Sequence, residues 1–182
     1  MPSLPNVLTL IRLALVPVTG YCLATGQYQA ALPIFLLAAL TDLADGYIAR
    51  RFNLTSRLGA ALDPVADKLN MLVATVGLAW QLLIPLWLAI AIVARDLLIV
   101  AGALAYRALA GRITIAPTRL SKINTFLEFT LLLLVMAAAA GWIDIRPWQH
   151  AAFVIVFATI VLSGVQYAWE WGRKALEAGR HR

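Results

Sequence analysis

Four aspartates, Asp42, Asp45, Asp63 and Asp67, fall within 26 residues of a chain that holds nine acidic residues in all. They lie at the ends of segments that otherwise avoid charge. A carboxylate in such a setting is costly, and several that converge also repel one another. The bases nearby are too few to neutralise all four at close range, so a bound cation accounts best for the cluster. An all-oxygen donor set, without His or Cys, selects a hard ion, magnesium or manganese. Four carboxylates can hold two such ions, the arrangement used for phosphoryl chemistry.

The spacing assigns the acids to two helix faces. Asp42, Asp45, Gly46 and Ala49 stand at i, i+3, i+4 and i+7, while Gly59, Asp63 and Asp67 stand four apart. Each set lies on one side of a helix. The first group closes one helix, the second opens the next, and the loop between them is short. The two helices are therefore expected to be antiparallel neighbours that bring their acidic faces to one depth. Gly46, Ala49 and Gly59 leave room for a ligand beside the carboxylates. Arg50, about one turn beyond Gly46, adds a guanidinium suited to a diphosphate.

The elements that carry these faces belong in a membrane. The chain has 182 residues, 62% hydrophobic and 13% charged, well beyond the apolar share of a soluble globular domain. The apolar residues come in runs long enough to cross a bilayer as helix, not in the alternation of a β-barrel. The expected fold is all-α: one integral membrane domain over 1–182, a bundle of six transmembrane helices. These cover about 8–24, 29–50, 59–82, 85–109, 120–140 and 148–171, with a polar tail after them. Arg50, Arg51 and Arg57 lie in one basic connection, Arg107, Arg112, Arg119 and Lys122 in another, and Arg173, Lys174, Arg180 and Arg182 in the tail. The alternate connections hold only Arg146, beside Asp144. By the positive-inside rule both termini and the acidic site face the cytoplasm. Trp142, Trp148, Trp169 and Trp171 sit near helix ends, as an interfacial belt does. The net charge of +6 fits orientation and anionic lipid, with no nucleic acid partner. Cys22 has no partner for an intrachain disulfide, and His150 and His181 are too scattered for a zinc site. The first apolar run, interrupted by Arg12 and followed by further spans, is not read as a cleavable signal peptide.

The pattern Asp42-x2-Asp45-Gly46-x2-Ala49-Arg50-x8-Gly59-x3-Asp63-x3-Asp67 resembles, at every position, the signature of the CDP-alcohol phosphatidyltransferases. The resemblance implies a six-helix membrane fold that works on CDP-linked lipids with two divalent ions, Mg2+ or Mn2+. It implies that Asp42, Asp45 and Asp63 are metal ligands, and that Asp67 stands close to the ions and takes the proton of the acceptor hydroxyl. Gly46, Ala49, Arg50 and Gly59 would shape the cytidine diphosphate site, and the chain would form a homodimer. Weaker motifs are similar to those of the members that make cardiolipin. They are Ala94-Arg95-Asp96, Ser121-Lys122-Ile123-Asn124-Thr125, the start Leu4-Pro5-Asn6-Val7-Leu8-Thr9 with Arg12 and Pro17, and Tyr167 with Gly172-Arg173-Lys174. The implied substrates are CDP-diacylglycerol and phosphatidylglycerol, giving cardiolipin and CMP. Members that use glycerol 3-phosphate share the signature, but usually carry Glu where Asp96 stands and a Gly-Lys-x-Lys-Thr run near 121–125.

Several residues admit two readings. Arg95-Asp96 and Glu128 are either a tie between helices or a polar wall of an acceptor pocket. Pro64 either opens the third helix, with Asp63 as its cap, or kinks a helix already running. Arg107, Arg112, Arg119 and Lys122 either orient the chain or form an anion site for an acceptor phosphate. Asn6 and Thr9, one turn apart, either begin an interfacial helix or contact the donor head group. The Trp169-Glu170-Trp171-Gly172-Arg173-Lys174 run reads as a snorkelling anchor. A cation transporter would also carry intramembrane acids, but near the midplane and often in broken helices.

Overall fold

The computed structural model describes the backbone of residues 4–52, 57–110 and 118–180, and side chains within 9–41, 68–102 and 118–170. Every described element is a helix: α1 (Leu4–Ala24), α2 (Tyr28–Phe52), α3 (Arg57–Trp80), α4 (Leu86–Ala110), α5 (Arg119–Ala139) and α6 (Gln149–Arg180). The all-α expectation thus holds among the described residues, and the boundaries expected from sequence fall within a few residues of these. The exception is α6, which runs nine residues past 171 into the basic tail. The residues after Gly172 are mostly good helix formers, Arg173, Lys174, Ala175, Leu176, Glu177 and Ala178, so nothing stops the helix there.

The chain divides into two compact units, one of Met1–Pro85 with Leu132–Ile145 and the other of Leu86–Leu131 with Arg146–Arg182. In the first, α1 packs against both α2 and α3, and α2 packs against α3. Leu23, Ala31, Phe35, Ala38, Ala74, Leu78, Leu132 and Met136 are fully buried there. The α1–α3 contact is close. A Cβ built at Gly77 would meet Leu23 Cβ and Cδ1 at 2.9 Å, and one at Gly20 would meet Val73 Cγ1 at 3.0 Å. Gly20 therefore faces Val73 and Leu23 faces Gly77, so α1 and α3 run parallel with a constant offset of 53 to 54 residues. Gln81 Nε2 donates to Leu23 O and Ala24 O, both at 2.9 Å, and so satisfies carbonyls that the end of α1 leaves open.

Three helix ends share one device. Gln27 N donates to Cys22 O and Gly26 N to Leu23 O, with Gly26 at φ 72°. Trp142 N and Gly141 N repeat the pattern on Ala137 O and Ala138 O, with Gly141 at φ 78°. These are Schellman turns, which need a left-handed residue. The end of α3 forms the same turn with Leu82 in that position at φ 58°.

In the second unit α4 packs on α6. Trp87 meets Phe157 edge to face at 5.2 Å, and Arg95 Nη2 donates to Ser163 Oγ at 3.2 Å, so these helices also run parallel. Large apolar side chains cover much of both surfaces: Leu10, Tyr21, Leu37, Val76 and Trp80 in the first unit, Ile90, Leu97, Ile155, Leu162 and Val165 in the second. The helix α5 and the stretch Gln149–Glu170 of α6 are long and apolar enough to cross a membrane, and only 33% and 28% of their apolar windows are buried. The core helix of a soluble protein would be mostly buried. Over the described residues the apolar stretches Thr9–Ala24, Tyr28–Thr41 and Lys68–Trp80 are shorter.

Candidate active site

The four aspartates lie on the two helices expected to carry them. Asp42, Asp45, Gly46, Ala49 and Arg50 occupy the last turns of α2, and Gly59, Asp63 and Asp67 the first turns of α3, on two helices that pack together. Their side chains lie outside the described residues. Helix α3 starts at Arg57, so Pro64 sits in its interior and Asp63 is not a cap. Neither α2 nor α3 contains a histidine or cysteine. A helix pair that offers carboxylates alone fits a hard dication and no soft metal.

The N-terminal helix supplies what the spacing of the acids did not reveal. Carried back along α1, the offset of 53 to 54 residues sets Arg12 level with Val65 and Ala66, between Asp63 and Asp67. Arg12 is 1% exposed, the largest fully buried side chain of the described residues. A guanidinium taken out of water needs anions around it. The sequence of this unit offers five acids, the four aspartates and Asp144, and Asp144 is exposed in the connection after α5. Arg12 thus lies level with the turn of α3 that carries Asp63 and Asp67. Thr9, one turn earlier, is also buried, while the side chain of Asn6 lies outside the described residues.

A second polar centre lies in the other unit. Arg95, 4% exposed, donates to Asp96 Oδ1 at 2.8 Å and Ser121 Oγ at 2.6 Å, besides its bond to Ser163. Asn124 Nδ2 donates to Glu128 Oε1 at 2.7 Å, and Asn124 Oδ1 accepts from Thr159 Oγ1 at 2.8 Å. This network ties α4, α5 and α6, which is the first of the two readings open for these residues. It also sets the height of α5. Ser121 is in the first turn of α5, yet it meets Arg95, from which α4 runs on for about 22 Å at 1.5 Å per residue. Thr118 caps that turn, its Oγ1 accepting from Ser121 N at 3.1 Å. Arg119 and Lys122 are exposed on it, with no acid in the turn. Arg107 is on α4 with its side chain outside the described residues, and Arg112 lies outside them altogether. The structure therefore brings two of the four expected bases to one helix start.

The family model of the CDP-alcohol phosphatidyltransferases matches residues 2–168. This chain belongs to that family. CDP-alcohol phosphatidyltransferases are transferases, which sets aside the reading as a cation transporter. The chain is 38% identical over 180 residues to a protein of Schizosaccharomyces pombe named cardiolipin synthase (CMP-forming) / mitochondrial hydrolase fusion protein, covering 91% of this chain and 30% of that one. It is 33% identical over 192 residues to cardiolipin synthase (CMP-forming) of Homo sapiens, covering 96% and 63%. It is 33% identical over 172 residues to CDP-diacylglycerol–glycerol-3-phosphate 3-phosphatidyltransferase of Escherichia coli, covering 88% of each. The chain thus spans less than two thirds of the length of the first two relatives.

Proposed function

We propose that this protein transfers a phosphatidyl group from CDP-diacylglycerol to phosphatidylglycerol, forming cardiolipin and releasing CMP. The observation that carries this reading is the aspartate pattern on the α2–α3 pair, in a chain whose family acts on CDP-alcohols. The choice of acceptor is supported by Ala94-Arg95-Asp96, by the run 121–125, and by relatives named for cardiolipin synthesis.

Asp42, Asp45 and Asp63, with Asp67, would hold two divalent ions, magnesium or manganese. When bound, such ions neutralise the diphosphate and make CMP an acceptable leaving group. Gly46, Ala49 and Gly59 leave space for the cytidine diphosphate, and Arg50, with Asn6 and Thr9 at the start of α1, binds its head. Asp67 takes the proton of the acceptor hydroxyl as that oxygen attacks the lipid-side phosphorus and the bond to CMP breaks. Arg119 and Lys122, with Arg107 and Arg112, hold the acceptor phosphate. The two units act as one domain whose six helices span the membrane, with the site and both termini in the cytoplasm, and the protein works as a homodimer.

The test is competition. Purified protein receives CDP-diacylglycerol with equal amounts of phosphatidylglycerol and glycerol 3-phosphate, and lipid products are weighed by mass spectrometry. Cardiolipin as the main product is expected. Phosphatidylglycerol phosphate without cardiolipin would move the protein to the reaction named for the Escherichia coli relative, with the aspartate site unchanged.

A further inference from the structure

The acidic face of α3 does not end at Asp67. Asp63, Asp67 and Asn70 stand at i, i+4 and i+7 of an uninterrupted helix, within one narrow stripe. Asn70 is only 4% exposed, and among the described residues no donor reaches its Oδ1. Such an atom is costly to bury, and natural interiors rarely keep one without a purpose. Its neighbours Met71 and Ala74 are buried and apolar, so a leucine would serve packing as well. The amide is thus an acceptor waiting for a donor, one turn below the proposed base. The rise from Asp67 to Asn70 is about 4.5 Å.

We infer that Asn70 binds the acceptor's glycerol, its Oδ1 accepting a hydrogen bond from the central hydroxyl that does not react. This inference rests on the proposed transfer to a glycerol head group. That group presents two adjacent hydroxyls. The terminal one gives its proton to Asp67 and joins the phosphorus, while the central one stays intact and needs an acceptor of its own when water is excluded. Asn70 occupies the next turn of the same face and supplies that acceptor. It is a positioning and specificity residue, and takes no part in bond making.

The experiment compares phosphatidylglycerol with phosphatidyl-1,3-propanediol, which keeps the terminal hydroxyl and lacks the central one. Wild-type protein should use phosphatidylglycerol roughly fivefold to tenfold better in kcat/KM, the scale of one hydrogen bond. Asn70→Leu should bring the two acceptors to parity by lowering the rate with phosphatidylglycerol alone. Its thermal midpoint should hold or rise, because an unpartnered buried oxygen has gone. Asn70→Asp, which keeps an acceptor oxygen, should retain the preference. Equal use of both acceptors by the wild type overturns the inference even if a variant fails to fold, and so does a preference that survives Asn70→Leu. If phosphatidylglycerol yields no CMP but glycerol 3-phosphate does, the acceptor reading fails. The same comparison with 3-hydroxypropyl phosphate then decides the role of Asn70.

Discussion

Asp67 and Arg12 carry the sharpest expectations at the scale of single residues. An amide is too weak a base to take the acceptor proton, so Asp67→Asn should still bind CDP-diacylglycerol while turnover falls by a factor of about 100 to 10,000. Binding measured by labelled donor, beside CMP release, separates the two effects. A variant that kept most of its turnover would require another base. Arg12 faces the opposite problem, a cation that only anions can justify. Removing one partner of a buried charge cluster typically costs about 3–5 kcal/mol. Arg12→Met should therefore unfold at markedly lower denaturant in detergent. Magnesium should raise its midpoint more than that of the wild type, since the ions would neutralise the carboxylates that Arg12 no longer faces. An Arg12→Met protein as stable as the wild type in chelator would show that Arg12 does not balance the aspartates. The aspartates were legible in the sequence because a carboxylate in an apolar run demands a reason. Arg12 was visible too, as a charge inside an apolar run, but its reason was not. Only the parallel register of α1 and α3 sets it level with Asp63 and Asp67.

That register belongs to the helices, and Gly77 sets it. A Cβ there would lie 2.9 Å from Leu23 Cβ, an atom fixed to the backbone of α1, so no rotamer change can make room. Gly77→Ala should force α1 and α3 apart and cost about 1–3 kcal/mol. Combined with Leu23→Ala, which removes the Leu23 Cδ1 that would also lie 2.9 Å away, it should cost less than the sum of the two single changes. Strict additivity in denaturant unfolding would mean that the helices meet elsewhere. No periodicity in the sequence announces such a contact, since Gly77 reads as one more small residue in an apolar helix. Helix ends were unevenly legible for a related reason. Gly26 and Gly141 mark the ends of α1 and α5 in sequence as they do in structure. Leu82 carries the same turn at the end of α3 without the residue type that signals it. At Pro64 the sequence left two readings, and the helix start at Arg57 leaves the proline inside α3.

At the scale of the whole molecule the question is how many helices cross the membrane. The connections 25–27 and 81–85 contain no charged residue, and 140–148 holds one acid and one base. Bases instead crowd the other ends, at Arg50, Arg51 and Arg57, at Arg107, Arg112, Arg119 and Lys122, and in the tail. That alternation predicts six spans with both termini in the cytoplasm. Placing the termini together is not enough to establish it. If only α5 and α6 crossed, the two that meet the length and hydropathy test over the described residues, the termini would again share a side and 140–148 would again lie opposite. The connections 25–27 and 81–85 decide the matter. Under six spans they join 140–148 on the far side, and under two they stay with the termini. Cys22 is the chain's one cysteine and is buried, so Cys22→Ala gives a clean background. Gln27→Cys, Leu82→Cys, Trp142→Cys and Arg182→Cys then report one position each, the first three at exposed sites. In sealed, oriented vesicles an impermeant maleimide should label the first three from one side and Arg182→Cys from the other. Labelling of Gln27→Cys and Leu82→Cys from the same side as Arg182→Cys would rule out six spans, leaving two, or four with α2 and α3 crossing as a hairpin. With two spans the α2–α3 site would lie along the membrane surface instead of at the end of a spanning bundle.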